Sequence, residues 1–472
     1  MRRLAVLFAC LAVILSAATA AVAGAVAPHR PAPVAVKAKA VHHVSAKERA
    51  ARAKKAARAK KAAAAKKAAA KRAAEAKRKP TRTSVPLPVR ASAAPPVRTL
   101  RPGPTTAPPA ADPTAAAPTT SAPSTTAGPR VTRQGQQLFL DGHPWRFTGF
   151  NAYGAATDWS MNWGCGSPSG NLDQMFTTLP AGSVVRFWAF QAQAWNNKAR
   201  PQHLDFSAID RVVAAAERHH QLLIMTLSDQ SGTCDDGHWH DPAWYEGGYT
   251  QRFNDDGRGL GSLSYADYVS TIVNRYKASP AIAFWEPVNE PEASTCSGAT
   301  GTGCFNNNNR SCPRDSAQIL AAFYDAIGRQ IRAIEPGALI SDGVSGGGQC
   351  GTTSGDYDVI GKSSGVDLLT YHDYGSDDNA YPSGLADRLR QARTEIGKPL
   401  AVEEAGIGGG TDNGCRSDAG RADAFSAKVH AAFANGAVGY TPWWYSSAPG
   451  GCGDDFGPGD PLMAVLAAGP TG

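Results

Sequence analysis

From residue 130 onward, short apolar runs alternate with amphipathic segments. The runs predict strands near 147–152, 183–188, 222–227, 282–288, 338–342, 367–372, 399–404 and 438–443. Between them the pattern predicts helices that include 206–219, 264–277, 316–334, 384–396 and 420–434. In the longest, Ile319, Phe323, Ile327, Ile331 and Ile334 recur at spacings of three or four and so share one face. Ahead of the first strand, Gln137–Leu140 and Trp145–Phe147 read as a small hairpin turning at Asp141-Gly142. Eight strands separated by helical segments over about 340 residues predict an α/β fold, a (β/α)8 TIM barrel with long loops.

Upstream of this domain (130–472) the pattern disappears. Residues 1–27 open with Arg2 and Arg3, pass through the apolar "LAVLFACLAVILS" and reach small residues such as Ala18-Thr19-Ala20, the layout of a secretory signal peptide. An uncleaved anchor is the alternative, since Leu4 to Ala27 is long enough to span a bilayer. Residues 28–79 form an Ala/Lys-rich basic arm with no apolar stripe to dock on anything, and 80–129 a Pro/Thr/Ala-rich linker. Residues 1–130 carry a net charge of +22 and the remainder −14. The overall pI of about 9.0 therefore describes neither part and gives no reason to expect a nucleic-acid binder. The arm reads as a solvated spacer or as a segment that adheres to anionic cell-envelope polymers by charge alone. The expectation is a secreted monomer, extracellular or associated with the cell wall.

Cys10 falls in the signal segment, leaving Cys165, Cys234, Cys296, Cys304, Cys312, Cys350, Cys415 and Cys452. An even number in an exported chain predicts up to four disulfides, with 105 possible connectivities. Each of the eight lies after a predicted strand and before the next helix, hence in loops on the barrel face where active sites are built. Disulfides there predict a rigid, extended cleft floor. The C-x7-C-x7-C run at 296, 304 and 312 lacks the close spacing of a zinc site.

Two strand ends carry candidate chemistry. The apolar run Ala281–Trp285 leads into "WEPVNEP", ending at Asn289 and Glu290, and Leu400–Val402 leads into Glu403-Glu404-Ala405-Gly406. Glu290 and Glu404 are 114 residues apart, or 38 per βα unit if three units separate them, which suits strands 4 and 7. Two carboxylates converging on one cleft suit glycoside hydrolysis: one, kept protonated by its neighbour's charge, protonates the leaving oxygen, and the other attacks the sugar carbon. Arg186, set in the apolar "VVRFWAF", is expected to hold the attacking carboxylate ionised. Asn289 is expected to bond the sugar 2-hydroxyl, and Trp443 or Trp444 to offer a flat face to a pyranose ring. Glu286 belongs inside the barrel. His238 and His240, flanking Trp239, read as part of a sugar-contacting or packed aromatic loop.

With "GFNAYG", "VVRFWAF", "WEPVNEP", "DLLTYHDYG", "PLAVEEAG" and "YTPWW" in order, the chain from about 131 to 472 resembles clan A glycoside hydrolases, and within them family 5, most closely its endo-β-1,4-mannanase-like branch. The resemblance implies Glu290 as acid/base and Glu404, from its E-x-G pattern, as nucleophile, with Glu403 the weaker candidate. It also implies that His372 and Tyr374, an H-x-Y pair, line the site. Asn151 and Trp188, in the first two motifs, are counted with the substrate-binding residues. The expected reaction is retaining cleavage of a β-1,4-linked polysaccharide, mannan or glucomannan first, with no metal or organic cofactor. A β-glucanase of the same mechanism and a catalytically silent carbohydrate-binding protein are the alternatives. The stretch "TLSDQSGTCDDGHWHDPAWY" departs from the Asn/Trp-rich loop of mannanase-like members, which puts the substrate in question. "GCFNNNNRSC" has no assigned function.

Overall fold

The computed structural model describes residues 130–470 except 167, 253–262, 297–303, 305–309, 376, 411 and 413. The signal, arm and linker expectations lie outside the described residues, as does most of the polar insertion around 305–309. Seven parallel strands form one sheet: β1 (Phe147–Asn151), β2 (Val184–Trp188), β3 (Leu222–Thr226), β4 (Ile282–Glu286), β6 (Leu369–Asp373), β7 (Leu400–Ala405) and β8 (Gly439–Tyr440). The gap between β4 and β6 is closed by β5, residues 340–341. Ile340 bridges to Trp285 on one side and Ser341 to Leu368 on the other, both in parallel. The barrel is therefore an eight-stranded ring.

A helix follows every strand: α1 (Leu172–Phe176), α2 (Ser207–Arg218), α3 (Tyr265–Tyr276), α4 (Ser316–Ile334), α5 (Asp356–Gly361), α6 (Ser383–Gln391), α7 (Asp418–Ala434) and α8 (Leu462–Ala467). Their starts follow local chemistry: the side chains of Ser264 and Ser417 accept from the backbone N–H of Asp267 and Gly420, capping α3 and α7. In α4, Ile319, Phe323, Ile327 and Ile331 are buried as the spacing predicts, and Ile334 packs against the same core.

Three differences from the expected pattern have physical reasons. The fifth strand shrinks to a bridge pair: its backbone bonds to Trp285 and Leu368 remain, and the Ile340 N–H is taken by the Asp367 carboxylate at 3.0 Å. The eighth stops at Tyr440 because Pro442, two residues on, has no N–H to continue pairing. The helix expected over 384–396 is α6 followed by a π-helical turn, Ala392–Ile396, which Gly397 ends at a φ of 79°. The expected hairpin is a three-stranded antiparallel sheet, Val131–Gln134, Gln137–Leu140 and His143–Trp145. Its Val131, Leu138 and Trp145 pack on residues near the starts of the barrel strands, among them Phe147, Val184, Leu222, Ala401 and Val438, and so close the amino-terminal end.

All eight loop cysteines pair: Cys165–Cys234, Cys296–Cys304, Cys312–Cys350 and Cys415–Cys452. The first ties the loop after β1 to that after β3, the third ties those after β4 and β5, and the fourth those after β7 and β8.

Candidate active site

Arg186, on β2 and 1% exposed, is the hub of the barrel's carboxyl-terminal end. Its guanidinium donates to both oxygens of Glu286 (2.9 and 2.6 Å), to Glu404 Oε1 (2.6 Å), to Asn289 Oδ1 (2.6 Å) and to Asn151 Oδ1 (2.9 Å). A third acid, Glu403, lies 3.6 Å from Nε. Consecutive residues of a strand point to opposite faces, so Glu403 and Glu404 should not both reach one arginine. A bulge resolves this: Val402 pairs with Tyr371 and Glu404 with His372, which leaves Glu403 as the extra residue in β7.

His372 Nδ1 is 2.8 Å from Glu290 Oε1 and 3.6 Å from Glu404 Oε2. Burial alone would lower the imidazole, but the carboxylates of Glu404, Glu290 and Glu403 outweigh it and raise it to about 10. Glu290 responds in the opposite sense. Burial would raise it, yet the His372 hydrogen bond and charge, with Arg186, hold it below the usual carboxylate range. The neighbour expected to keep it protonated is thus outweighed, in the unliganded site, by the imidazolium. Burial drives Glu286 well above its ordinary value despite Arg186, with the Glu403 charge adding to the rise, while Arg186 and His372 hold Glu403 low against its burial.

Glu290 sits beyond the end of β4 with a φ of 50°, a backbone conformation rare for a non-glycine residue. Its N–H donates to Gly343 O at 2.9 Å and its carbonyl accepts from Gln349 Nε2 at 3.0 Å, which fix the turn. Gly343 is itself required: a Cβ there would stand 2.4 Å from Val288 O.

Two cavities meet at Glu290 and Tyr374. One, of about 490 Å³, is lined by Tyr153, Trp188, Asp229, Asn289, Glu404 and Trp443 among others, and the second, of about 540 Å³, by Arg310, Gly346, Gln349, Tyr371, His372 and Arg388 among others. Tyr374 donates its hydroxyl to Glu404 Oε2 at 2.7 Å. Trp443 stacks on Tyr153 with ring centroids 5.0 Å apart, and Trp188 packs edge-on to both. The indole N–H of Trp188 has no partner among the described residues.

The structure brings Glu290, Glu404, Arg186, Asn289, His372, Tyr374, Trp188 and Trp443 together. Two expectations change. Asn151 is engaged by the scaffold: its Nδ2 donates to the carbonyls of Glu403 (2.9 Å) and Thr441 (3.0 Å), its Oδ1 accepts from Arg186, and it lines neither cavity. Of the two tryptophans, Trp443 lines the first cavity, whereas Trp444 stands edge-on to Tyr153. His240 is packed, stacked on Trp244 at 3.8 Å. Sequence reasoning missed Asp229, whose Oδ1 accepts from Asn289 Nδ2 at 3.1 Å, and Tyr153, although both close a strand-end motif. Ligand atoms of Glu290, His372 and Glu404 lie within 4.8 Å of one another, close enough to hold a cation. A metal there would have to displace the His372 proton and compete with Arg186 for Glu404.

A closed barrel with paired carboxylates after its fourth strand and on its seventh has the architecture of the clan A glycoside hydrolases, the class that the sequence resembles. Known proteins resemble this chain in sequence and in fold. The chain is 26% identical over 317 residues to a probable mannan endo-1,4-β-mannosidase F of Aspergillus flavus, covering 58% of this chain and 60% of that protein. It is 25% identical over 328 residues to mannan endo-1,4-β-mannosidase 8 of Oryza sativa subsp. japonica, covering 59% and 79%. The chain thus spans about 60% of the length of the Aspergillus relative. The endo-1,4-β-mannanase of Rhizomucor miehei superposes with a TM-score of 0.52 at 21% identity, covering 71% of this chain and 97% of that one, which shows a shared fold. No family model matches.

Proposed function

We propose that this chain is an exported endo-β-1,4-glycanase of the retaining kind, acting on mannan or glucomannan. One observation carries the mechanism: the facing oxygens of Glu290 and Glu404 lie within 4.8 Å. Retaining enzymes hold their carboxyl groups about 5–5.5 Å apart, and inverting ones leave about 6.5–9.5 Å for a water. Glu404, paired with Arg186 at 2.6 Å, attacks the anomeric carbon and forms a glycosyl-enzyme. Glu290 and His372 share one proton across 2.8 Å. Drawn to Glu290 it is delivered to the leaving oxygen, which leaves Glu290 a carboxylate beside a neutral His372; Glu290 then takes a proton from the attacking water, and the shared proton is restored. Trp443 faces the pyranose ring, Trp188 offers its N–H to a hydroxyl, and Asn289, held by Arg186 and Asp229, keeps one N–H for the 2-hydroxyl. The mannan preference follows the printed names of the relatives.

A reducing-sugar assay on mannan, glucomannan and carboxymethylcellulose tests this. Wild type is expected to release most sugar from mannan, and Glu404→Ala to lose at least about a thousandfold in kcat. Activity on the cellulose derivative alone would change the substrate, activity surviving in Glu404→Ala would change the nucleophile, and none on any polymer would favour a binding protein.

The disulfides belong to an oxidising compartment, which supports export. The basic arm is the proposed contact with anionic envelope polymers. The full chain is expected to sediment with cell envelopes in low salt and to be released at about 1 M, where screening falls to about 3 Å. Equal sedimentation of a chain lacking residues 28–129 would dismiss the arm as the cause.

A further inference from the structure

Under the assigned reaction, Glu403 has no part: it is neither the acid nor the nucleophile, it is fully buried, and a hydrophobic residue would fill the same space with no charge to desolvate. Two observations give it one. The first is a pair of orphaned atoms. His372 Nε2 and Glu403 Oε2 are both buried without a hydrogen-bond partner among the described residues, and they face each other at 3.9 Å. An imidazolium has two N–H donors, and His372 uses only Nδ1, on Glu290. Leaving a buried donor and a buried acceptor unmade costs desolvation on both, and an approach of less than an ångström satisfies the two at once. The second is the bulge in β7. A regular strand would turn Glu403 away from the side that Glu404 faces; the extra residue aims it at the same arginine and histidine. Ser341 Oγ, from β5, then anchors its other oxygen at 2.9 Å.

We propose that Glu403 is a positioning residue for the acid/base: its Oε2 accepts the Nε2–H of His372, and its charge draws the proton shared with Glu290 onto the imidazole. The relay runs Glu290 Oε1, His372 Nδ1, His372 Nε2, Glu403 Oε2. In the resting site His372, protonated at both nitrogens, leaves Glu290 a carboxylate, and the proton that Glu290 takes from water in the second displacement returns to this relay. The charged groups around the ring come from every element against it: Glu290 from the end of β4, Glu403 and Glu404 from β7, and Arg186 from β2. Asp373, next on its own strand, is engaged instead by Lys428 at 2.8 Å. Among these, Glu403 is the carboxylate on the Nε2 side, so its effect on the ring is separable from that of the reacting pair. The inference rests on the proposed roles of Glu290 and Glu404.

The test follows the ring nitrogens of His372 by 15N NMR through a pH titration of the resting protein. Glu403→Gln keeps the shape and an oxygen for Ser341 while removing the charge. Its His372 midpoint is expected to fall by about one pH unit or more, a tenfold change in proton affinity. The alkaline limb of kcat/KM is expected to move down with it. Glu403→Asp, which retains the charge, is expected to bring the midpoint back toward wild type. A wild-type midpoint in Glu403→Gln overturns the proposal. Should that variant fail to fold, Ser341→Ala carries the test by loosening the anchor: a lowered midpoint supports the relay and an unchanged one overturns it. Because the titration needs no substrate, a chain inactive on every polysaccharide would overturn the proposed function and leave this result standing.

Discussion

Asp342 shows how one buried acid sets a limit on the whole scaffold. It follows β5, is 1% exposed, and accepts from Thr370 Oγ1 at 2.7 Å and the Val344 N–H at 3.2 Å. Burial outweighs these bonds and raises it to about 7. A carboxyl whose folded value is raised gives stability that is complete below its ordinary value of 3.8 and is lost as pH rises through about 7. Above that, the fold carries a buried charge with no basic partner in contact among the described residues. Asp342→Asn offers the same accepting oxygen and cannot ionise. Its melting temperature is expected to exceed wild type at pH 8.5 and to fall back toward it at pH 3.5, below the ordinary value of 3.8, read by calorimetry at both; a variant that loses stability equally at the two would place the value of Asp342 in its shape and hydrogen bonds and not in its titration. Glu290 differs in kind. Its positive φ is held from both sides by Gly343 and Gln349, so the strain of that conformation, about 1–3 kcal/mol, is met by the turn and aims the side chain.

Among the elements, what could be read from the sequence was what periodicity carries. α2, α3, α4 and α7 span three turns or more and repeat their apolar face often enough to announce it, whereas α1, α5 and α8 have five or six residues and no period to detect. The strands of the ring follow their apolar runs, but β5 is only two residues in register with Trp285 and Leu368, and the Asp367 carboxylate that takes its Ile340 N–H lies 27 residues on, a pairing no local pattern encodes. The site divides in the same way. Glu290 and Glu404 could be found because each ends an apolar run, and Arg186 because a charge inside "VVRFWAF" needs a partner. Asn151 was misjudged because a motif gives a residue's place and not how many of its bonds the backbone already uses. The bulge at Glu403 is a register event between two strands whose starts, Leu369 and Leu400, lie 31 residues apart, visible only once Tyr371 and His372 are seen against Val402 and Glu404.

At the scale of the molecule, charge and covalent linkage are arranged separately. The excess of basic residues lies ahead of residue 131, and the domain beyond it carries −14, so salt acts on what the arm touches and little on the cleft, whose ions are buried. The disulfides act on the rim: they join the loops in pairs and leave those after β2 and β6 without a cysteine. Cys165–Cys234 encloses the loop after β2, with Trp195, Asn196 and the cis Arg200-Pro201 peptide, inside a covalent ring spanning 69 residues. A protease in the surroundings that cuts this loop therefore makes a nick and not a fragment. Limited digestion is expected to leave one band on a non-reducing gel and to yield two pieces only after a thiol is added. For the exported enzyme proposed above, that ring turns a first cut from the loss of a strand into a scar that the barrel can carry.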